Sequence, residues 1–377
     1  MGKAHLSAAL WFSGALLAVG GRAFAQGPAY NPYRPVKGLA DGGGAFALGG
    51  QWAKLPSGRE MGPPAAVAVD PDGESIWALI RCDETNTVPV KQGGRYGADC
   101  MYPNGKLKPH DTIYKFDSQG NTVKSFGAGM FIWPHGMYVD REGNVWVTDA
   151  AAESQVATAA KAGVKAGHIV RKFSPDGKVL MTLGEPGVAG DDESHLRSPA
   201  GVVTAPNGDI FVADGHGSNN RIVKYSKDGK FIKAWGKTGY GPGEFREVHC
   251  VAMDQRGRVF VCDKSNNRIQ IFDQDGKYLA TWHQFGEPSG IAFSVNDEDL
   301  IYVFDSESDE VDNPGFEEGI RVGDALKGWV KYFILDPGGD PRVKTGSGAE
   351  FGTVDKHGSI FAGEPRPRVL QKYVKVR

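Results

Sequence analysis

Hydrophobic and polar positions alternate along the chain in short runs rather than in helical stripes. Brief runs rich in Val, Ile, Phe and Trp are separated by a recurring Asp-x-x-Gly-like turn, which is the pattern of hairpins and not of amphipathic helices. One series of turns opens at Asp70, Asp140, Ala205, Asp254 and Asp355, with Asn296 to Asp299 as a degenerate member. Each precedes a strand-like run such as Val145-Trp146-Val147-Thr148-Asp149 or Val259-Phe260-Val261-Cys262-Asp263. A second series lies between them, at Asp117, Ser174, Ser226, Asp273 and Asp336. Two tight turns per repeat make two hairpins, hence a four-stranded antiparallel meander, and meanders repeated at this length are propeller blades. The six members of the first series predict an all-β, six-bladed β-propeller. The last blade shows three clear runs, so the β-compatible region Ala45 to Leu55 is expected to supply its outer strand and close the ring.

Composition supports this. The 377 residues include 53 Gly and 22 Pro, well above average usage of about 12% for the two together, and helices reject both. Aromatic content of 10% argues against disorder. A net charge of -2 provides no basic field for nucleic acid or anionic lipid, so neither is an expected partner. A monomeric state is expected.

Residues 1–25 read as an export signal. Lys3 begins a short positive region, Ala8 to Gly21 is almost wholly apolar, and Ala23-Phe24-Ala25 before Gln26 fits the small-x-small cleavage rule. The rival is a membrane anchor, but the apolar stretch falls short of the ~20 residues that span a bilayer. Residues 26–377 would then form the propeller in the periplasm or outside the cell. Four cysteines fit such an oxidising compartment. Cys82 and Cys100 bracket a Gly-rich excursion and are expected to pair. Cys250 and Cys262 flank the turn at Asp254, and if Met253 faces Val259 they face each other, either as a disulfide or as a free pair near a site.

Alignment of the blades turns sequence into geometry. The position some five residues before each turn of the first series lies near the start of the innermost strand and reads Ala65, His135, Ala200, His249, Ser289, Glu350. Potential ligands alternate with small residues. In a six-fold ring His135, His249 and Glu350 would converge as a facial triad on a divalent metal, with zinc expected and iron or calcium also compatible. The bland reading is a set of polar residues at a wet channel mouth. A second ring, just after the next strand, carries Arg81 on blade one and Lys264 on blade four, with His216 following Gly215 on blade three. Cations there would hold an anionic group and His216 could move a proton, unless all three are solvated loop residues.

The phrase Asn219-Asn220-Arg221-Ile222-Val223-Lys224-Tyr225 and its partner Asn266-Asn267-Arg268-Ile269-Gln270-Ile271-Phe272 resemble NHL-repeat propellers. The segments Phe131-Ile132-Trp133-Pro134-His135-Gly136, with Val145 to Asp149, and His249, with Val261-Cys262-Asp263-Lys264, resemble peptidyl-α-hydroxyglycine α-amidating lyase. That resemblance implies a central zinc held by three His on alternate blades, and cleavage of a carbinolamide to an amide and glyoxylate. It makes His135 and His249 zinc ligands and Arg81 a substrate-binding residue. Glu350 stands where the family has its third His, His216 where it has a catalytic Tyr, and Lys264 where it has another Arg. The expected function is therefore an exported, metal-dependent, lyase-like enzyme acting on a small-molecule or peptide-derived substrate, anionic or hydroxylated. The alternatives are a metal-dependent hydrolase of the lactonase type and a non-catalytic NHL binding platform. Asp305 to Gly323 reads as an insertion in blade five, either a lid or a surface loop.

Overall fold

The Asp-x-x-Gly turns are held by their own hydrogen bonds. At Asp140 the side-chain Oδ1 accepts the backbone N–H groups of Glu142 and Asn144, at 3.2 and 2.8 Å, while Gly143 N–H closes back on the Asp140 carbonyl. Gly143 has φ 81°, a conformation that glycine adopts without a Cβ clash. Asp254 and Asp355 repeat the arrangement, so each such hairpin reverses at a place encoded locally.

The structure, a computed structural model, describes residues 33–35, 52–56, 59–82, 100–296, 299–309, 311, 313–336, 348–365 and 368–375. The strands form six four-stranded antiparallel sheets. Blade one comprises β2 (Pro64–Val69), β3 (Ile76–Ile80), β4 (Ile113–Phe116) and β5 (Thr122–Phe126). Blade two comprises β6 (Pro134–Val139), β7 (Val145–Asp149), β8 (Ile169–Phe173) and β9 (Val179–Leu183). Blade three has β10 (Pro199–Thr204), β11 (Ile210–Asp214), β12 (Arg221–Tyr225) and β13 (Phe231–Trp235). Blade four has β14 (Val248–Met253), β15 (Val259–Asp263), β16 (Arg268–Phe272) and β17 (Tyr278–Trp282). Blade five has β18 (Pro288–Phe293), β19 (Leu300–Asp305), β20 (Gly319–Asp324) and β21 (Val330–Leu335). Blade six has β22 (Phe351–Val354), β23 (Ile360–Glu364) and β24 (Val369–Lys375), and is completed by β1 (Tyr33–Pro35). The innermost strands neighbour one another in order, and β22 lies beside β2, which closes the ring.

An apolar cluster fills each junction between blades. Trp77 and Leu79 of blade one pack with Met137, Val147 and Phe173 of blade two, and Tyr302 and Phe304 of blade five pack with Ile360 and Tyr373 of blade six. Second strands such as Ile76–Ile80 and Val145–Asp149 are therefore buried along their whole length, whereas the outer strand Thr122–Phe126 is only partly covered. Deleting one of these large side chains would cost about 3–5 kcal/mol.

The ring is closed from the N-terminal side as expected, but by a different segment. Tyr33–Pro35 pairs antiparallel with Lys375–Tyr373, whereas the Ala45 to Leu55 region had been expected to do so. Of that region, residues 45–51 lie outside the described residues. Trp52 packs on Phe116 and Phe361 at the junction of blades one and six, and Lys54 bridges to Asn121. The expected turn at Asp336 also shifts. In blade five the second hairpin turns at Asp324, whose carbonyl receives Gly328 N–H and whose Oδ1 accepts Leu326 and Lys327 N–H. This turn is one residue longer than Asp-x-x-Gly, so that spacing passes over it. Part of the blade-five insertion is strand β20, and Ser308 and Asn313 before it are linked by hydrogen bonds to Asp305. A helix, α1 (Glu153–Lys161), between β7 and β8 had no counterpart in the strand pattern.

Both cysteine pairs form disulfides, Cys82–Cys100 and Cys250–Cys262. The second joins directly opposed residues in the register that pairs Met253 with Val259. Such pairing fits an oxidising compartment. Among the described residues no helix is long and apolar enough to cross a membrane. The expected signal, residues 1–25, lies outside the described residues.

Candidate metal centre

The ring position is built by an irregularity repeated in five blades. The first strand slips register by a residue at its start, between Pro64 and Ala66, Pro134 and Met137, Pro199 and Gly201, Val248 and Cys250, and Pro288 and Gly290. A bulge there re-aims the side chains of Ala65, His135, Ala200, His249 and Ser289. The residues that follow, Gly136, Gly201, Cys250 and Gly352 among them, line a channel cavity of about 220 Å³, so the ring sits at its mouth. In blades two to five a buried aspartate ends the second strand and holds the approach to the bulge. Asp149 accepts Ile132, Trp133 and Gly167 N–H, Asp214 accepts Arg197 N–H and pairs with Arg221, and Asp263 accepts Arg246 N–H and pairs with Arg268.

His135 and His249 are oriented from behind. His135 Nδ1 lies 2.9 Å from the Ala200 carbonyl, and His249 Nδ1 lies 2.8 Å from the Ser289 carbonyl. A carbonyl can only accept, so each Nδ1 carries the hydrogen and each ring turns its Nε2 forward. The small ring residues therefore do more than leave space, since their backbone carbonyls fix the neighbouring imidazoles. Gly136 makes this approach feasible, because a Cβ there would stand 2.2 Å from the Ala200 oxygen. His135 Nε2 is fully buried without a hydrogen-bond partner. Glu350 Oε1 is 3.1 Å from it and 3.9 Å from His249 Nε2.

His216 joins this group. Its ring centre is 4.7 Å from that of His135 and 5.4 Å from that of His249, and the ligand atoms of the three histidines all lie within 4.8 Å of one another. Its Nε2 is 3.9 Å from Glu247 Oε1. Burial, reinforced by the charge of His135, pushes His216 down to about 4, and the same causes push His249 well below the usual histidine range. Both are neutral at pH 7, which is the form that binds metals. An orphaned buried nitrogen on His135 and the neutral imidazoles of His216 and His249, gathered beside a carboxylate, fit a divalent ion.

The expected cations are both engaged by the protein's own carboxylates. Arg81 donates from Nε to the Pro134 carbonyl at 3.0 Å and from its two terminal nitrogens to Glu350 at 3.3 and 3.4 Å. It also stacks 4.4 Å above Trp133. Burial alone would raise the Glu350 carboxyl, but Arg81, His135 and His249 hold it far below the usual range. Lys264 Nζ is 2.6 Å from Glu307, 3.7 Å from Glu247 and 3.9 Å from Glu287. Burial would lower this lysine, and the three glutamates outweigh it. The free cations on which an anionic substrate was expected to dock are thus paired. Burial pushes the Glu287 carboxyl up to about 8 despite Lys264, and its Oε2 is buried without a partner.

Trp133, Glu247 and Glu287 also border the site, and the sequence carries a signal for them. Each stands two residues before a ring position, His135, His249 and Ser289, so the same blade alignment shifted by two would have found an upper ring. Glu307, from the β19–β20 loop, carries no such signal.

The family model DUF5128, described as a 6-bladed beta-propeller, matches residues 192–310. The chain is 34% identical to a peptidyl-glycine alpha-amidating monooxygenase of Mus musculus over 44% of this chain and 16% of that protein. It is 31% identical to peptidyl-alpha-hydroxyglycine alpha-amidating lyase 2 of Drosophila melanogaster over 46% of this chain and 39% of that protein. It is 36% identical to NHL repeat-containing protein 3 of Homo sapiens over 35% of this chain and 37% of that protein. The matched stretch thus spans well under half the length of each relative. The chain is a six-bladed β-propeller with homologues among the amidating lyases and the NHL repeat proteins.

Proposed function

We propose that this protein is an exported, metal-dependent enzyme of the lyase type, acting on a small hydroxylated, peptide-derived substrate. One observation carries the reading: His135 and His249, on alternate blades, are clamped at Nδ1 by neighbouring carbonyls so that both Nε2 atoms face Glu350 at the channel mouth. The names of the relatives support the reaction class. The nitrogen-rich donor set suits zinc or iron and not calcium, which takes oxygen ligands. A divalent ion held there would act as a Lewis acid and lower the pKa of a bound hydroxyl.

The remaining chemistry belongs to the surrounding residues. Burial would raise the Glu247 carboxyl, but Lys264 and His216 bring it below the usual value, so it is ionised and able to accept the substrate hydroxyl proton. As the C–N bond of a carbinolamide breaks, the hydroxyl carbon becomes a carbonyl and the departing amide nitrogen takes that proton back. Trp133 walls the site between Arg81 and His216 and limits access of water. Arg81 and Lys264 act through the carboxylates they hold. The expected export signal and the two disulfides support an oxidising compartment.

The test is elemental analysis of protein purified without chelators, followed by incubation with an α-hydroxyglycine-extended peptide. The expected result is one ion per chain, lost in His135→Ala and His249→Ala, with release of the peptide amide. Full metal content in both variants would overturn the site. Bound metal without turnover would remove the lyase reading and favour a binding platform.

A further inference from the structure

We infer that His216 is itself a ligand of the ion, so that the centre comprises His135, His216, His249 and Glu350. This rests on the proposed metal centre and changes its chemistry. From its place after Gly215, outside the inner ring, His216 was expected to carry a proton. Its ring instead stands 4.7 Å from that of His135, the same spacing as between His135 and His249.

The placement is built into the backbone. The loop after β11 is seated by Gly215 and Gly217, where a Cβ would stand 2.4 Å from Val248 Cβ and 3.1 Å from Arg197 Cγ. At Gly215 only glycine lets the chain approach so closely to the first residue of blade four, and at Gly217 any side chain would press on Arg197. His216 N–H is fixed to the Ser198 carbonyl, and Trp133 meets its ring edge-on at 5.0 Å. The nearest carboxylate oxygen, at 3.9 Å on Glu247, is beyond hydrogen-bond reach. Three imidazoles are thus gathered with no hydrogen bond joining them, and their nitrogen lone pairs repel unless a cation lies between them.

Four protein ligands alter which ion the site serves. A catalytic zinc keeps three protein ligands and one open position, and a fourth ligand would fill a tetrahedral site. A six-coordinate first-row ion such as iron, manganese or cobalt would retain two positions for substrate. Proton transfer then passes to Glu247.

The experiment uses the full-length protein stripped of metal and titrated with Co(II), following affinity and visible absorption. His216→Ala and His216→Gln are compared with wild type and with His195→Ala, a surface control paired with Asp192. Both His216 variants are expected to lose more than about tenfold in Co(II) affinity and to shift the cobalt bands, with the circular dichroism of the metal-free fold unchanged. Binding within about twofold of wild type with an unaltered spectrum would overturn the inference and leave the metal centre standing. No cobalt binding by wild type would remove the centre itself. X-ray absorption of cobalt-loaded wild type counts imidazoles without any variant: three support His216 as a ligand and two refute it.

Discussion

Arg81, just after the second strand of blade one, closes its guanidinium fork on Glu350 of blade six, with contacts of 3.3 and 3.4 Å to the two carboxylate oxygens. The pair bridges the junction where the ring closes and holds the carboxylate beside His135. In the proposed metal centre Arg81 would position Glu350, as outer hydrogen bonds commonly orient ligating carboxylates.

Breaking that pair should be expensive. Arg81 is 3% exposed and the Glu350 side chain 13%, so Arg81→Met would leave a buried carboxylate uncompensated at a cost of about 3–5 kcal/mol. The double change Arg81→Met with Glu350→Met should recover much of this loss in urea unfolding. Equal destabilisation by the single and double variants would mean that the pair is not coupled.

Gly136 and Gly358 form a matched comparison. A Cβ at Gly136 would meet the Ala200 oxygen at 2.2 Å, whereas at Gly358 nothing lies within 4 Å and only its φ of 80° resists substitution. Gly136→Ala should lower stability by more than about 2 kcal/mol and weaken metal binding by displacing the carbonyl that orients His135. Gly358→Ala should cost about 1 kcal/mol and leave metal binding unchanged. Calorimetry with metal titration separates the two.

The metal-free protein should lose stability in mild acid. His216 and His249 have folded-state pKa values below their unfolded ones, so the unfolded chain binds protons first as pH falls. The histidine contribution is flat above about pH 6.5 and declines below it, for His216 until about pH 4, by about 1.4 kcal/mol per pH unit per histidine, while Glu287, shifted up to about 8, offsets part of this by acting in the opposite sense below that pH. The Glu350 carboxyl is shifted down, and its contribution is lost only at lower pH. Urea midpoints from pH 7.5 to 4.5 should show a shallower slope in His216→Asn.

Neither disulfide should leave a free thiol. Alkylation under denaturing, non-reducing conditions is expected to modify none of the four cysteines. Replacing Cys250 and Cys262 together by Ser should cost about 3 kcal/mol, on the chain-entropy account of a loop of this size. A variant as stable as wild type would show that β14 and β15 need no cross-link.

Local chemistry was legible because it is local. Each Asp-x-x-Gly turn makes its own hydrogen bonds, so the hairpins, the blade count and the facing of Cys250 and Cys262 follow from residues a few positions apart. The alternation of His135, Ala200, His249, Ser289 and Glu350 was readable because repeats convert spacing into angle around a ring. Only the tertiary structure decided what meets across the closure. Tyr33–Pro35 pairs with β24 from the opposite end of the chain, and many β-compatible segments could have competed for that edge. Charge pairing was hidden for the same reason. The partner of Arg81 lies 269 positions away, and Lys264 is surrounded by glutamates from three loops. Whether a cation faces a substrate or a carboxylate depends on which loops converge above the channel, and no spacing along one strand carries that information.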